Sequence, residues 1–277
     1  MPQRIADPVK SAFLFLALVF LASCSSSEPD LGLGLDFTRE AGYPVAHLKY
    51  RDRDPQDFGS RPPGRYPVHG IDVSKWQGHI DWQAVKASGV EFAFIKATEG
   101  GDLLDSRFKR YTSDARAAGI PTGPYHFYFF CRSAAEQARW FIRNVPKSAA
   151  VLPPVLDMEW NHTSPSCKKR PSPAKVRKEM AIWLNMVERH FGRKPIIYTT
   201  IDFHRENIEG HFRDYTFWLR SVAAHPDDLY GDHPWHFWQY TGTGVIPGIE
   251  GNTDINVFAG DRSDWKKWLK DVRVAAR

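Results

Sequence analysis

From residue 67 onward, short β-rich apolar segments alternate with longer amphipathic ones, and this alternation limits the chain to very few architectures. The short segments fall at 69–73, 92–97, 125–130, 155–159, 196–200, 217–221, 236–240 and 254–258. Helix signals separate the first five of them, at 81–88, 105–118, 133–144 and 172–191. Gly89, Gly119 and Gly192 stand where a left-handed residue ends a helix. Strands that alternate with helices predict βα units and a parallel sheet, and about eight strands in roughly 210 residues predict closure into a barrel. Between 201 and 257 the helical segments are short. The expected fold is therefore α/β, an irregular (β/α) TIM-like barrel with some helices reduced or missing.

The first 66 residues do not share this pattern. Arg4 and Lys10 precede an apolar run at 12–22, long enough for the ~7 to 15 residues of a signal h-region and short of the ~18 a membrane span needs. Leu21-Ala22-Ser23-Cys24 resembles a bacterial lipobox, which makes Cys24 the expected acylated first residue. The stretch that follows is charged and rich in Pro and Gly, and reads as a spacer, part of which could instead pack on the domain as a strap. The expected organisation is a lipoprotein signal peptide at 1–23, a lipidated tether at 24–66 and a barrel at 67–277. This places the protein at the bacterial cell envelope, outside the cytoplasm and held to a membrane through Cys24.

Charge alone does not choose a partner. The net charge of +5 arises from 37 basic and 32 acidic residues, and the longest basic run is only Lys168-Lys169-Arg170; this balance fits a cell wall, a membrane or a nucleic acid equally, and no nucleic-acid partner is expected. The 11 histidines are scattered without metal-ligand spacing, and no glycine-rich phosphate motif occurs. No metal and no cofactor are expected, and the protein is read as a monomer.

Acidic residues end or follow several of the expected strands. Asp72, Asp157, Glu159 and Asp254 lie in apolar settings, where a carboxylate is costly unless paired, hydrogen-bonded or functional. In a βα barrel the C-terminal strand ends form the active face, so these acids are expected to converge there. Asp157 and Glu159 are two apart on one strand and should share a face. Coupled carboxyls titrate apart, and one raised pKa gives a proton donor near neutral pH, which glycosidic cleavage requires. The composition includes 10 Trp, 10 Tyr and 18 Phe, more rings than a core alone needs, and a sugar groove would use the surplus.

These motifs together resemble the glycoside hydrolase family 25 lysozymes, the Chalaropsis-type muramidases. Gly70-Ile71-Asp72-Val73-Ser74-Lys75-Trp76-Gln77-Gly78 with Ile80-Asp81-Trp82 is similar to the first-strand signature, and Phe94-Ile95-Lys96-Ala97-Thr98-Glu99-Gly100 to the second. Gly123-Pro124-Tyr125-His126-Phe127 resembles the third, Leu156-Asp157-Met158-Glu159 the catalytic strand, and Trp238-Gln239-Tyr240 with Asp254-Ile255-Asn256 the last two. The resemblance implies a peptidoglycan hydrolase that cuts the β-1,4 bond between N-acetylmuramic acid and N-acetylglucosamine, with retention through 2-acetamido assistance or, in a competing assignment, with inversion by direct attack of water. It makes Glu159 the acid/base, Asp157 the group that orients the 2-acetamido nucleophile, and Asp72 a member of the acidic cluster.

Tyr125 and Tyr198 are then expected substrate contacts, Trp160 and Trp238 stacking surfaces, and Asp254 either a groove residue or a stitch between strands. One departure stands out: where the family often has Trp-x-Ala followed by a polar or acidic residue, this chain has Arg220 and Ser221. Cys131 and Cys167 follow the third and fourth strands and are expected to form a disulfide at the rim. Two other readings are a catalytically silent wall-binding lipoprotein and a hydrolase of chitin-like N-acetylglucosamine polymers.

Overall fold

The computed structural model describes residues 49–274. The expected signal peptide, the acylation site Cys24 and the tether up to residue 48 lie outside the described residues. In chain order the elements are β1 (Arg51–Asp52), β2 (His69–Val73), α1 (Trp82–Ala87), β3 (Val90–Glu99), β4 (Leu103–Leu104), α2 (Phe108–Ala117), β5 (Thr122–Phe127) and α3 (Ala134–Asn144). They continue with β6 (Val155–Met158), α4 (Pro173–Phe191), β7 (Ile196–Thr199), α5 (Ile201–Asn207), β8 (Thr216–Arg220), α6 (Pro226–Leu229), β9 (Phe237–Val245), β10 (Thr253–Phe258) and α7 (Arg262–Val274).

Eight strands close into a barrel in the order β2, β3, β5, β6, β7, β8, β9, β10 and back to β2. The first seven run parallel. β10 runs antiparallel to both β9 and β2, so the sheet is mixed rather than wholly parallel. The cause is connection length: residues 246–252 are too few for the dozen or so that a parallel crossover needs, and they form a return loop instead. The expected third strand begins and ends three residues earlier than read, because the chain is already extended at Gly123-Pro124, which the sequence marks as breakers.

Alternation along each strand divides the core in two. Inward residues Phe92, Phe94, Val155, Ile196, Tyr198, Trp218, Phe237 and Phe258 pack inside the barrel. Outward Ile71, Val73, Ala93, Ile95, Leu156, Ile197, Phe217 and Val257 pack in the larger outer cluster, with helix residues such as Phe141, Trp183 and Leu184. Gly70 is required by this filling: a Cβ there would lie 2.4 Å from the Phe92 ring. Helix α7 places Trp265 against Phe92, Phe237 and Phe258 and plugs the face where the parallel strands begin. The opposite face, where they end, is left for chemistry.

Among the described residues no helix covers the outside of β9 and β10, yet β9 points Trp238 and Tyr240 outward. Residues 49–66, read from the sequence as tether, supply the cover. β1 pairs antiparallel with Val245 and Gly244 of β9. Phe58 meets Trp238 edge-on at 5.0 Å, and the Tyr66 hydroxyl bonds His225 at 2.9 Å. The strap is thus part of the fold, since it buries rings that would otherwise face water.

Cys131, after β5, and Cys167, after β6, are joined in a disulfide with Cα atoms 5.7 Å apart. It closes a loop across a sequence separation of 36 residues. Replacing both cysteines with serine is expected to cost about 3 kcal/mol and lower Tm by about 10 °C, read by scanning calorimetry. A Tm within a degree of the parent would show that the bridge constrains nothing.

Candidate active site

The inward positions become polar at the open face. There β2 contributes Asp72, β3 Lys96 and Glu99, β5 Tyr125, β6 Asp157 with Glu159 just beyond it, β7 Tyr198, β8 Arg220, β9 Gln239, and β10 Asp254 and Asn256. Because β10 runs the other way, its first residues reach this face, and Asp254 stands directly opposite Asp72. The parallel ladder of β5 and β6 ends at Asp157 on the same face.

Asp72 is held by two chains of hydrogen bonds. Its Oδ2 accepts from Gln239 Nε2 and from Asn256 Nδ2, each at 2.8 Å. Gln239 in turn accepts from the Tyr198 hydroxyl at 3.0 Å, and Asn256 from the Trp218 indole at 2.7 Å. Burial pushes Asp72 well above the usual carboxylate range, and nearby Asp254 adds to the effect; the two amide donors oppose it. Asp72 is therefore a fixed acceptor in the floor.

Asp157 and Glu159 differ from it. Asp157 is buried, and among the described residues its Oδ1 has no hydrogen-bond partner. Burial raises its pKa well above normal, with the Glu159 charge next and Lys96 opposing. Glu159 is half-buried, and among the described residues its carboxyl makes no hydrogen bond. Burial raises its pKa too, while Arg220 and Lys96 pull it down. Lys96 is tied to Glu99 at 2.6 Å.

The site thus pairs a carboxyl that burial shifts toward its protonated form with, two residues away, a buried carboxyl oxygen that has no hydrogen-bond partner among the described residues. An orphaned buried acceptor costs about 1 to 3 kcal/mol, and a ligand N–H would satisfy it.

Asp254 is pushed up to about 6 by burial, with Arg220 opposing. Its folded-state pKa exceeds the unfolded value, so its stabilising contribution is complete below its ordinary value of 3.8 and is lost as pH rises through about 6. The stability of the parent relative to Asp254→Asn, from urea unfolding, is expected to fall by about 2 kcal/mol between acid and neutral pH. A difference independent of pH would show that this carboxyl titrates normally.

The expected aromatic contacts divide. Tyr125 is half-buried at the mouth, in the fields of Asp72, Asp157 and Asp254, with no hydrogen bond of its own among the described residues. Tyr198 is 7% exposed, its hydroxyl given to Gln239, so it forms floor rather than rim.

Trp238 must be corrected. It is 0% exposed, its indole donates to the Ser221 carbonyl at 2.7 Å, and the strap covers its ring; it has no face for a sugar. Period-two alternation puts Gln239 inward and therefore Trp238 outward. Trp160 packs on the outer core against Phe130 and Phe203, with Arg170 over its ring at 4.5 Å, so its stacking surface is already occupied.

The sequence reading passed over Lys96, Glu99 and Arg220 as site residues. The signal was present: Lys96 stands two residues after Phe94, and Arg220 two after Trp218, in line with inward rings. It also passed over Trp76, 80% exposed on the turn after β2, which is bonded to the loops on either side through Lys75 N–H to Asp105 and Gln77 to Asn252. Among the described residues no group of three or more His, Cys, Asp or Glu side chains is placed to hold a metal ion.

A closed barrel whose mouth gathers carboxyls with raised pKa is the arrangement that glycosidic hydrolysis uses, and the class that fold and site define is the glycoside hydrolases. Within that class, the family model for glycosyl hydrolases family 25 matches residues 71–249, and the chain belongs to this family. It is 32% identical over 269 residues to lysozyme M1 of Streptomyces globisporus, covering 90% of this chain and 88% of that protein. It is 38% identical to the uncharacterized protein YegX of Escherichia coli K12 over 81% of each chain. A family 25 glycosyl hydrolase from Bacillus anthracis superposes with a TM-score of 0.70 and 34% identity, over 78% of this chain and 98% of that one.

Proposed function

We propose that the protein hydrolyses peptidoglycan as an N-acetylmuramidase, cutting the β-1,4 bond on the muramic acid side with retention. The observation that carries this reading is the pairing of Glu159, whose pKa burial raises, with Asp157, whose buried Oδ1 has no partner among the described residues. The 2-acetamido N–H of a muramic acid residue would fill that vacancy. The relatives named as lysozyme M1 and N,O-diacetylmuramidase act in the same sense.

Glu159 donates its proton to the glycosidic oxygen as the C1–O bond breaks. The acetamido carbonyl oxygen attacks C1 from the opposite face, giving an oxazolinium-type ring whose N–H bonds Asp157. Water then adds to C1 as Glu159 takes its proton, the ring C–O bond breaks, and configuration is retained. Asp72, fixed by Gln239 and Asn256, holds the floor beneath this exchange, and Tyr125 lines the sugar groove. Asp254 completes the acidic cluster.

The protein acts as a monomer outside the cytoplasm, anchored to a membrane by lipid on Cys24. Among the described residues no helix is long and apolar enough to cross a membrane.

Incubation of the purified protein with insoluble peptidoglycan and, separately, with chitin oligomers tests this reading. Soluble muropeptides released from the wall, with chitin left intact, are expected. Binding to the wall without release would favour the silent wall-binding protein, and chitin cleavage alone would favour the N-acetylglucosamine polymer hydrolase.

A further inference from the structure

Arg220 ends β8 on the inward side, two residues beyond Trp218. Its backbone is fixed: its carbonyl accepts from the Tyr230 hydroxyl at 2.6 Å, and β8 pairs it with Gln239. The side chain is half-buried, and among the described residues its guanidinium makes no hydrogen bond or ion pair. Its charge acts on Asp72, Glu159, Tyr198 and Asp254, so it faces the space into which the proposed acid/base opens. The other cation of the mouth, Lys96, is already paired with Glu99.

A half-buried guanidinium has given up hydration without gaining a partner, a costly state that a ligand anion would relieve. Its planar fork matches a carboxylate in two parallel hydrogen bonds. Elsewhere in the mouth, among the described residues, an incoming carboxylate would meet acids, phenols, amides already donating to Asp72 or a lysine already paired with Glu99, so Arg220 is where a negative charge can settle.

We propose that Arg220 binds a carboxylate of the glycan substrate and so selects strands bearing a free carboxylate beside the scissile bond. The inference rests on the muramidase reading. The carboxylate has two sources: the lactyl group of muramic acid where the stem peptide has been removed, and the stem peptide itself where it remains.

Three substrates separate these sources: stem-free glycan strands, strands with intact stems, and stem-free strands whose lactyl carboxyl has been converted to an amide. The parent protein is expected to show kcat/KM about 10- to 100-fold higher on a carboxylate-bearing strand than on the amidated one. Preference for stem-free strands identifies the lactyl group, and preference for intact strands identifies the stem. In Arg220→Gln that ratio should collapse toward one, and Arg220→Lys should recover part of it.

A parent ratio near one, or a ratio that survives in Arg220→Gln while activity on all substrates falls alike, overturns the assignment; the latter is what a residue that merely tunes Glu159 would give. If the parent cleaves none of the three, it is the muramidase reading that fails.

Discussion

Glu159→Gln is expected to lower kcat on peptidoglycan by about 10³-fold or more, with little change in wall binding. The substitution keeps the shape and removes only the transferable proton. Stability should hold or rise slightly at neutral pH, because burial already disfavours the charged carboxylate and the amide carries no charge to bury. Turnover on solubilised glycan, read beside a thermal melt, checks both halves. A variant retaining a tenth of parental activity would remove Glu159 from the role of acid/base.

Asp157→Asn is expected to cost about 10² to 10³ in kcat, with KM nearly unchanged. Asp157 acts on an acetamide that becomes nucleophilic in the transition state, so its contribution falls on the chemical step. An asparagine oxygen accepts the acetamido N–H without the charge that stabilises the oxazolinium. A loss below threefold, or one confined to KM, would show that Asp157 only binds. The two variants should also differ in pH dependence: Glu159→Gln abolishes the alkaline limb set by the acid, whereas Asp157→Asn retains a limb and shifts it, because the two carboxyls interact.

Much of this was legible in the sequence because a barrel records itself as repeated alternation. The first strand, His69–Val73, is read to the residue, and helices α1 to α4 are read to within a few residues from their apolar period and glycine stops. What was not legible is mainly what packs on what. Trp238 sits in a family motif beside site residues, yet one position of strand parity turns it outward, and the strap together with His225 and Trp235 explains why an outward Trp is buried.

The strap itself is charged and Pro-rich, and has no period to read; its anchors Phe58 and Tyr66 find Trp238 and His225 about 160 to 180 residues away. Helix α7 was passed over although Trp265, Trp268 and Leu269 mark an apolar face at helical spacing. Its role as the plug depends on tertiary position. The reversed direction of β10 is implicit in the short 246–252 connection, and it is this reversal that brings Asp254 opposite Asp72.

The site shows the same division. The acids were visible because carboxylates in apolar strands are costly, whereas Lys96 stood inside a motif and Arg220 as a departure from one, and neither is placed in the site until the inward faces are aligned. Their effect is opposite in sign to that of burial: both hold Glu159 below the level that desolvation alone would set.

The central claim is which bond is cut. Digestion of purified peptidoglycan with the protein, borohydride reduction of the new ends and mass spectrometry of the fragments identifies the sugar at each cut. Muramitol at the new reducing ends, absent in the Glu159→Gln digest, is the result predicted. Glucosaminitol at those ends, or equal release by Glu159→Gln, would contradict it.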